Sequence, residues 1–254
     1  MSLDHLPPFA IAALLLDLDG TLLDIAPRPD AVVVAPGLPA TLRALRDRLG
    51  GALAIVTGRP VETVDALLGD APYAVAGEHG GAMRHAPGEA LHRPPLPAPP
   101  AAWRQVAERL AASHPGVLLE HKARGFALHF RAAPDAGPAL RDALTAMLRG
   151  SAAFELLPAH MLWEVRPRGA DKGKAVHALM ARAPFAGRKP VFIGDDVTDE
   201  DAINAARALG GAGFQVDTAF GTPSGVRAWL HGAATAGAWR APRPCNGRGV
   251  LSCD

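Results

Sequence analysis

Apolar and polar positions fall into three blocks along the chain. In the first, "AALLLDLD" from Ala12 is a continuous apolar run ending in carboxylates, which predicts a strand buried on both faces. Pro36 to Gly50 carries Leu42, Leu45 and Leu49 at helical spacing and ends in glycine. "ALAIVTGR" predicts a second strand, "PVETVDALLG" a second helix with Pro60 suited to its first turn, and "YAVAGEHGG" a short third strand. This β-α-β-α-β order predicts a parallel sheet covered by helices.

The second block opens on a proline-dense stretch, His85 to Ala101, which no regular element could contain and which predicts a linker or extended crossing. A helix follows from Ala101 to Ser113, then the strands "VLLEHK" and "FALHFR", a helix from Pro138 to Leu148, and a strand pair within "FELLPAHMLWEVRP". That order predicts an antiparallel sheet with two helices. The third block returns to the first pattern: helix "KGKAVHALMARA", strand "PVFIGDD", helix "TDEDAINAARALG", strand "GAGFQVD" and a last helix "PSGVRAWLH". From Gly232 the chain is rich in Ala, Gly, Pro and Arg without periodicity, which predicts a loosely held tail. The predicted organisation is an α/β core with a Rossmann-like parallel sheet (1–83 and 168–231), an inserted α+β domain (84–167) and a tail (232–254).

Composition narrows the functional classes. With 26 basic and 25 acidic residues and 5% aromatics, the chain has no footprint for nucleic acid or an anionic membrane. The apolar run Phe9 to Leu16 lacks a basic start and runs straight into Asp17 and Asp19, unlike a secretory signal. No apolar run approaches the ~18 residues of a membrane span. The two cysteines, Cys245 and Cys253, form no CxxC pair, so zinc is not expected and a reducing, cytoplasmic setting is. The expected partner is a small molecule, and the expected state a monomer.

Against this balance, "VFIGDDVTDED" crowds Asp195, Asp196, Asp199, Glu200 and Asp201 into seven positions after an apolar strand. A helix start accommodates one or two acids. Two carboxylates ~4 Å apart repel by about 4 kcal/mol at an effective dielectric near 20, so capping does not account for Asp195 and Asp196 facing Asp17 and Asp19. Such a cluster is solvated, partly protonated or holding a cation, and all-oxygen ligands suit Mg²⁺. Asp17 and Asp19 share a strand face, with Gly20 permitting a sharp turn after them. Thr57, at a strand end before a helix, is either a phosphate donor or a helix cap. Lys172 and Lys174 oppose the dipole at a helix start unless an anion lies near one of them.

Together, "DLDGT", "TGR", Lys172 and "GDDVTDE" resemble, in order, the four motifs of the haloacid dehalogenase superfamily of aspartate-nucleophile phosphatases. Within it, "GEHG" with Arg84, "EHK", "HFR", "EVRP" and "DKG" resemble the trehalose-6-phosphate phosphatases. The resemblance spans about Leu14 to Ile203. It departs at Leu18, where many relatives have an aromatic residue, and in the proline-rich segment.

The resemblance implies Asp17 as nucleophile, Asp19 as general acid and base, and Thr57 and Lys172 as phosphate-stabilising groups. It implies Mg²⁺ between the Asp17 carboxylate, the Asp19 main-chain carbonyl and Asp195, with Asp196 and Asp199 acting through water or orienting the direct ligands. The inserted domain would be a cap closing over the sugar. Arg59, Glu78, His79, Glu120, Lys122, Arg131, Glu164 and Arg166 are the implied substrate contacts. The implied reaction is hydrolysis of trehalose 6-phosphate. The alternatives are a phosphatase for sucrose phosphate or mannosylglycerate phosphate and, more remotely, a non-catalytic phosphosugar-binding protein. A signalling receiver module is disfavoured, because its adjacent acid pair belongs on the first strand and here comes late.

Overall fold

A computed structural model describes residues 3–26, 28, 31–159 and 161–239. The strands are β1 (Ala12–Leu16), β2 (Leu53–Val56), β3 (Ala74–Gly77), β4 (Ala82–Arg84), β5 (Leu118–His121), β6 (Phe126–His129), β7 (Phe154–Ala159), β8 (Leu162–Pro167), β9 (Lys189–Gly194) and β10 (Ala212–Gln215). The helices are α1 (Leu38–Arg48), α2 (Val61–Leu68), α3 (Ala101–Ser113), α4 (Gly137–Leu148), α5 (Lys172–Met180), α6 (Glu200–Ala208), α7 (Val216–Ala219) and α8 (Pro223–Ala236). None of these helices is long and apolar enough to cross a membrane.

Two sheets result. The larger runs β10-β9-β1-β2-β3-β4 and is parallel except for β4. Every residue of β1, β2 and β3 is buried, as strands covered on both faces must be, which is why they read as unbroken apolar runs. The strand order reverses at β1. The chain passes from β1 to β2 on one side and returns to β9 on the other, and the carboxyl ends of strands at such a reversal form a ligand crevice. The register aligns Leu16 with Ile55 and with Ile193, so the residues that follow these three strands emerge side by side.

The second sheet, β5-β6-β8-β7, is antiparallel. Its faces are sorted by alternation. Phe126, Leu128, Phe154 and Val165 pack with Ala107 of α3 and with Leu140 and Leu144 of α4. Glu120, Ala127, His129 and Glu164 belong to the alternate positions, on the face away from the helices. The paired charges of "EHK" and "LWEVRP" thus follow from a sheet with helices on one side only.

Three features differ from the sequence reading. β4 is an antiparallel edge strand that the glycines of "GEHGG" conceal. The proline-rich stretch begins as part of the core: His92 exchanges backbone hydrogen bonds with Met83, and Leu91 packs on the core. The crossing to the second sheet therefore falls between Arg93 and Ala101 rather than at residue 84. The third concerns the expected tail. Helix α8 continues to Ala236, with Ala233 fully buried, and closes at Gly237. Small residues pack closely without giving an amphipathic signal. Trp239 then stacks on Trp229 (centroids 5.1 Å apart, planes 6° apart) and meets Phe9 edge-on at 4.3 Å. Its indole N–H donates to the Pro7 carbonyl at 2.7 Å. The remainder of the expected tail, with Cys245 and Cys253, lies outside the described residues. Replacing a partly buried tryptophan that joins three elements removes a packing unit, so Trp239→Ala should lower unfolding stability by about 2–3 kcal/mol. Urea unfolding followed by circular dichroism checks this; an unchanged midpoint would show that the residues after α8 do not stabilise the fold.

Candidate active site

Three neighbouring strands each end in a polar side chain at the reversal of strand order. Asp17 follows β1, Thr57 follows β2 and Asp195 follows β9. The Asp17 amide donates to the Ile193 carbonyl at 2.9 Å, extending the ladder and fixing where its side chain starts. Gly20 turns the chain with φ +74°, and any Cβ there would overlap the Asp195 carboxylate. The backbone freedom and the missing side chain of this glycine are both required.

Lys172, in the first turn of α5, is 3% exposed and lies within this group. Its ammonium donates to Asp17 Oδ1 at 2.6 Å and to Asp199 Oδ1 at 2.7 Å. Lys174 points elsewhere and pairs with Asp171, the N-cap of α5, at 3.0 Å. Only one of the two lysines therefore meets the acid cluster. Burial acts to lower the Lys172 pKa, but Asp17 and Asp199 outweigh it and hold the ammonium above its ordinary value.

Carboxylate oxygens of Asp17, Asp195 and Asp199 lie within 4.8 Å of one another. Three carboxylates against one ammonium leave two unbalanced negative charges. Burial raises Asp17 well above the usual carboxylate range; Asp199 and Asp195 add to this while Lys172 opposes it. Burial, with Asp199 and then Asp196, likewise pushes Asp195 up to about 6. The cluster thus lacks positive charge, and all its donors are oxygens, which suits a hard divalent cation. Asp199 is less available as a ligand than its neighbours. It is fully buried, one oxygen is on Lys172, and the other accepts from the amides of Asp195 and Asp196 at 3.1 and 3.0 Å. Asp196 is half-buried and caps its own turn by accepting from the Val197 amide at 2.7 Å. Glu200 and Asp201 are exposed in the first turn of α6, where the helix dipole favours acids.

Thr57 is buried, and its hydroxyl oxygen accepts from the Arg59 amide at 3.2 Å, which leaves its proton to donate. Asp19 is gripped by the Arg59 guanidinium through two bonds of 2.6 and 2.7 Å. Thr21, unassigned on sequence grounds, is fully buried with its hydroxyl 3.3 Å from Asp17 Oδ2 and 3.4 Å from Asp195 Oδ1. Its position in "DLDGT" was the available signal.

A cleft of about 540 Å³ runs from these residues to the open face of the second sheet. There Lys122 donates to Glu164 at 2.8 Å, His79 reaches the same carboxylate oxygen at 3.3 Å, and His129 pairs with Glu120 at 2.8 Å. Burial alone would raise Glu164, but Lys122 and then His79 hold it well below the usual carboxylate range. Arg131 crosses from the second sheet to the Ala26 carbonyl of the core. Of the expected substrate contacts, Arg59, His79, Glu120, Lys122, Arg131 and Glu164 line the cleft. Glu78 and Arg166 do not. A left-handed backbone (φ 52°) turns Glu78 toward Arg93, with which it pairs at 2.7 Å, and Arg166 pairs across the strands with Glu155 at 2.9 Å. The sequence reading also missed an apolar wall formed by Ile25 and Val32 of the core with Leu157 and Leu162 of the second sheet, because these residues meet only across the cleft.

Comparison with known proteins agrees with this geometry. The family model described as trehalose-phosphatase matches residues 15–227. The trehalose-6-phosphate phosphatase of Escherichia coli is 38% identical over 205 residues, covering 80% of this chain and 76% of its own. A Sinorhizobium fredii protein described as "Probable trehalose-phosphate phosphatase" is 42% identical over 205 residues, covering 80% and 77%. The solved C-terminal domain of C. albicans trehalose-6-phosphate phosphatase shares the fold, with a TM-score of 0.74 at 20% identity over 89% of this chain and 93% of that one. With a family match over most of its length and the motif residues of that family gathered at one crevice, the chain belongs to the trehalose-phosphatase family.

Proposed function

We propose that this protein hydrolyses trehalose 6-phosphate to trehalose and phosphate through an aspartyl-phosphate on Asp17, with Mg²⁺ as cofactor. The observation that carries the reading is the joining, in one cleft, of an over-charged carboxylate cluster around Lys172 to a rigid sheet face bearing Lys122, Glu164 and Glu120. The first suits a phosphoryl group and its cation. The second offers buried donors and acceptors to sugar hydroxyls.

Asp17 and Asp195, with the Asp19 main-chain carbonyl, are the residues that would hold Mg²⁺, and Asp199 and Asp196 set the loop that carries Asp195. When bound, Mg²⁺ offsets charge on the phosphoryl oxygens and on the attacking carboxylate. The ammonium of Lys172 and the hydroxyl of Thr57 hold phosphoryl oxygens as charge shifts in the transition state. Asp17 attacks phosphorus as the bond to the sugar oxygen breaks, and Asp19 gives that oxygen a proton. Asp19 then takes a proton from the water that attacks the aspartyl-phosphate, releasing phosphate and restoring the Asp17 carboxylate. The two bonds from Arg59 hold the Asp19 carboxylate in place, and an entering phosphate competes for the same guanidinium. The inserted unit of β5 to β8 with α3 and α4 serves as the cap that reads the sugar, and the large sheet through β4, with the helices that pack on it, forms the core. The proposal includes a monomer acting in the cytoplasm on a small molecule, without nucleic acid.

Asp17→Asn should lower phosphate release from trehalose 6-phosphate by about a thousandfold or more. It should leave the melting temperature in chelator unchanged or raised, since the amide removes one charge from the cluster. Normal turnover would overturn the nucleophile assignment. Dialysis against a chelator should stop the reaction, and Mg²⁺ should restore it and raise the melting temperature; undiminished activity in chelator would remove the cation from the reading. Lys122→Met keeps the apolar stem and removes the ammonium. It should lower kcat/KM for trehalose 6-phosphate by about a hundredfold and that for a small aryl phosphate far less; equal losses would count against the cap's role.

A further inference from the structure

Two consecutive residues after β3, Glu78 and His79, have left-handed backbones with φ of 52° and 56°. Neither is glycine or asparagine, the residues that adopt this region at least cost. Both are buried, and both amides face the phosphate loop: Glu78 N–H donates to the Arg59 carbonyl at 3.0 Å and His79 N–H to the Thr57 carbonyl at 2.9 Å. The His79 ring lies against Gly58, where any Cβ would come within 2.7 Å of Nε2. The same Nε2 reaches Glu164 Oε2, the oxygen that also holds Lys122. His79 is thus in contact with the loop carrying Thr57 through its backbone and with the sugar-facing carboxylate through its ring. Strained backbone of this kind persists where the surrounding structure over-determines it, and the imidazole is what that strain places.

We infer that His79 is a positioning residue that ties the geometry of Glu164 and Lys122 to that of the Thr57–Arg59 loop, so that the sugar and phosphoryl subsites bind cooperatively. The inference rests on the reading of this cleft as a sugar-phosphate site. The protonation state agrees with it. Ionised Glu164 only accepts, so Nε2 carries the proton, while buried Nδ1 has no partner and would be left with an unsatisfied proton were the ring charged. Burial, outweighing Glu164, also keeps His79 below its ordinary pKa. A neutral ring with one proton aimed at Glu164 is a directional link rather than a diffuse charge.

The test uses two amides. The glutamine side-chain nitrogen can reach the place of Nε2, whereas that of asparagine matches Nδ1 and falls short of Glu164. Asparagine tolerates a left-handed backbone, so loss in His79→Asn does not arise from backbone strain. Trehalose affinity is measured calorimetrically with Mg²⁺, without and with saturating inorganic phosphate, in the wild type, His79→Asn and His79→Gln. Phosphate should tighten trehalose binding about fivefold or more in the wild type and His79→Gln, and less than about twofold in His79→Asn. An equal factor in all three proteins, or equal loss in both variants, overturns the assignment. Turnover of trehalose 6-phosphate by the wild type is followed alongside. Its absence overturns the substrate reading and this assignment with it, whereas its presence with an unchanged factor overturns the assignment alone.

Discussion

The site depends on a single ammonium set among buried carboxylates. Lys172 lies between Asp17 and Asp199, almost without solvent, and partly neutralises a cluster that would otherwise repel itself strongly. Because it compensates only part of that charge, Asp17 and Asp195 remain driven upward by burial and by one another. The incomplete balance makes a cation favourable there, and with it an anionic phosphoryl group. A fully neutralised cluster would be more stable and chemically inert, since its oxygens would have no unmet demand for positive charge.

The scaffold keeps that imbalance in place with backbone hydrogen bonds. Asp199 gives one oxygen to Lys172 and the other to two loop amides, so the loop carrying Asp195 and the helix carrying Lys172 are held by one side chain. The parallel register of β9, β1 and β2 brings the strand ends that precede Asp195, Asp17 and Thr57 side by side. The cap follows different logic. One face of its antiparallel sheet is covered by α3 and α4, which allows charged residues at every second position of the other face to share one cleft. Arg131 on Ala26 and His79 on Glu164 join cap to core, so the cleft is shaped by contacts from both units.

Much of this was legible in the chain. Continuous apolar runs identified the buried parallel strands, and α3, read as Ala101 to Ser113, has those bounds. Asp17 and Asp195 were identifiable because strand ends carried charges that local structure does not require, and the pair Lys172 and Lys174 because both oppose the dipole of a helix start. Local patterns were silent where small residues do the packing. Helix α8 extends past His231 on alanines, and β4 sits behind a run of glycines.

What the sequence determined by itself, then, was the chemistry of the crevice. Residue types at strand ends dictate which groups can meet there, and the order of strands and helices dictates the parallel sheet that brings them together. Tertiary structure decided how the charges were shared. Glu78 and Arg166 look equivalent to Glu120 and Lys122 along the chain, yet all four form ion pairs and only Glu120 and Lys122 line the cleft. Likewise, which lysine of "DKGK" meets the acids, and that His79 bridges core and cap, depend on three-dimensional packing. Pairing between charges distant in sequence is set by burial and geometry, and no local pattern encodes it.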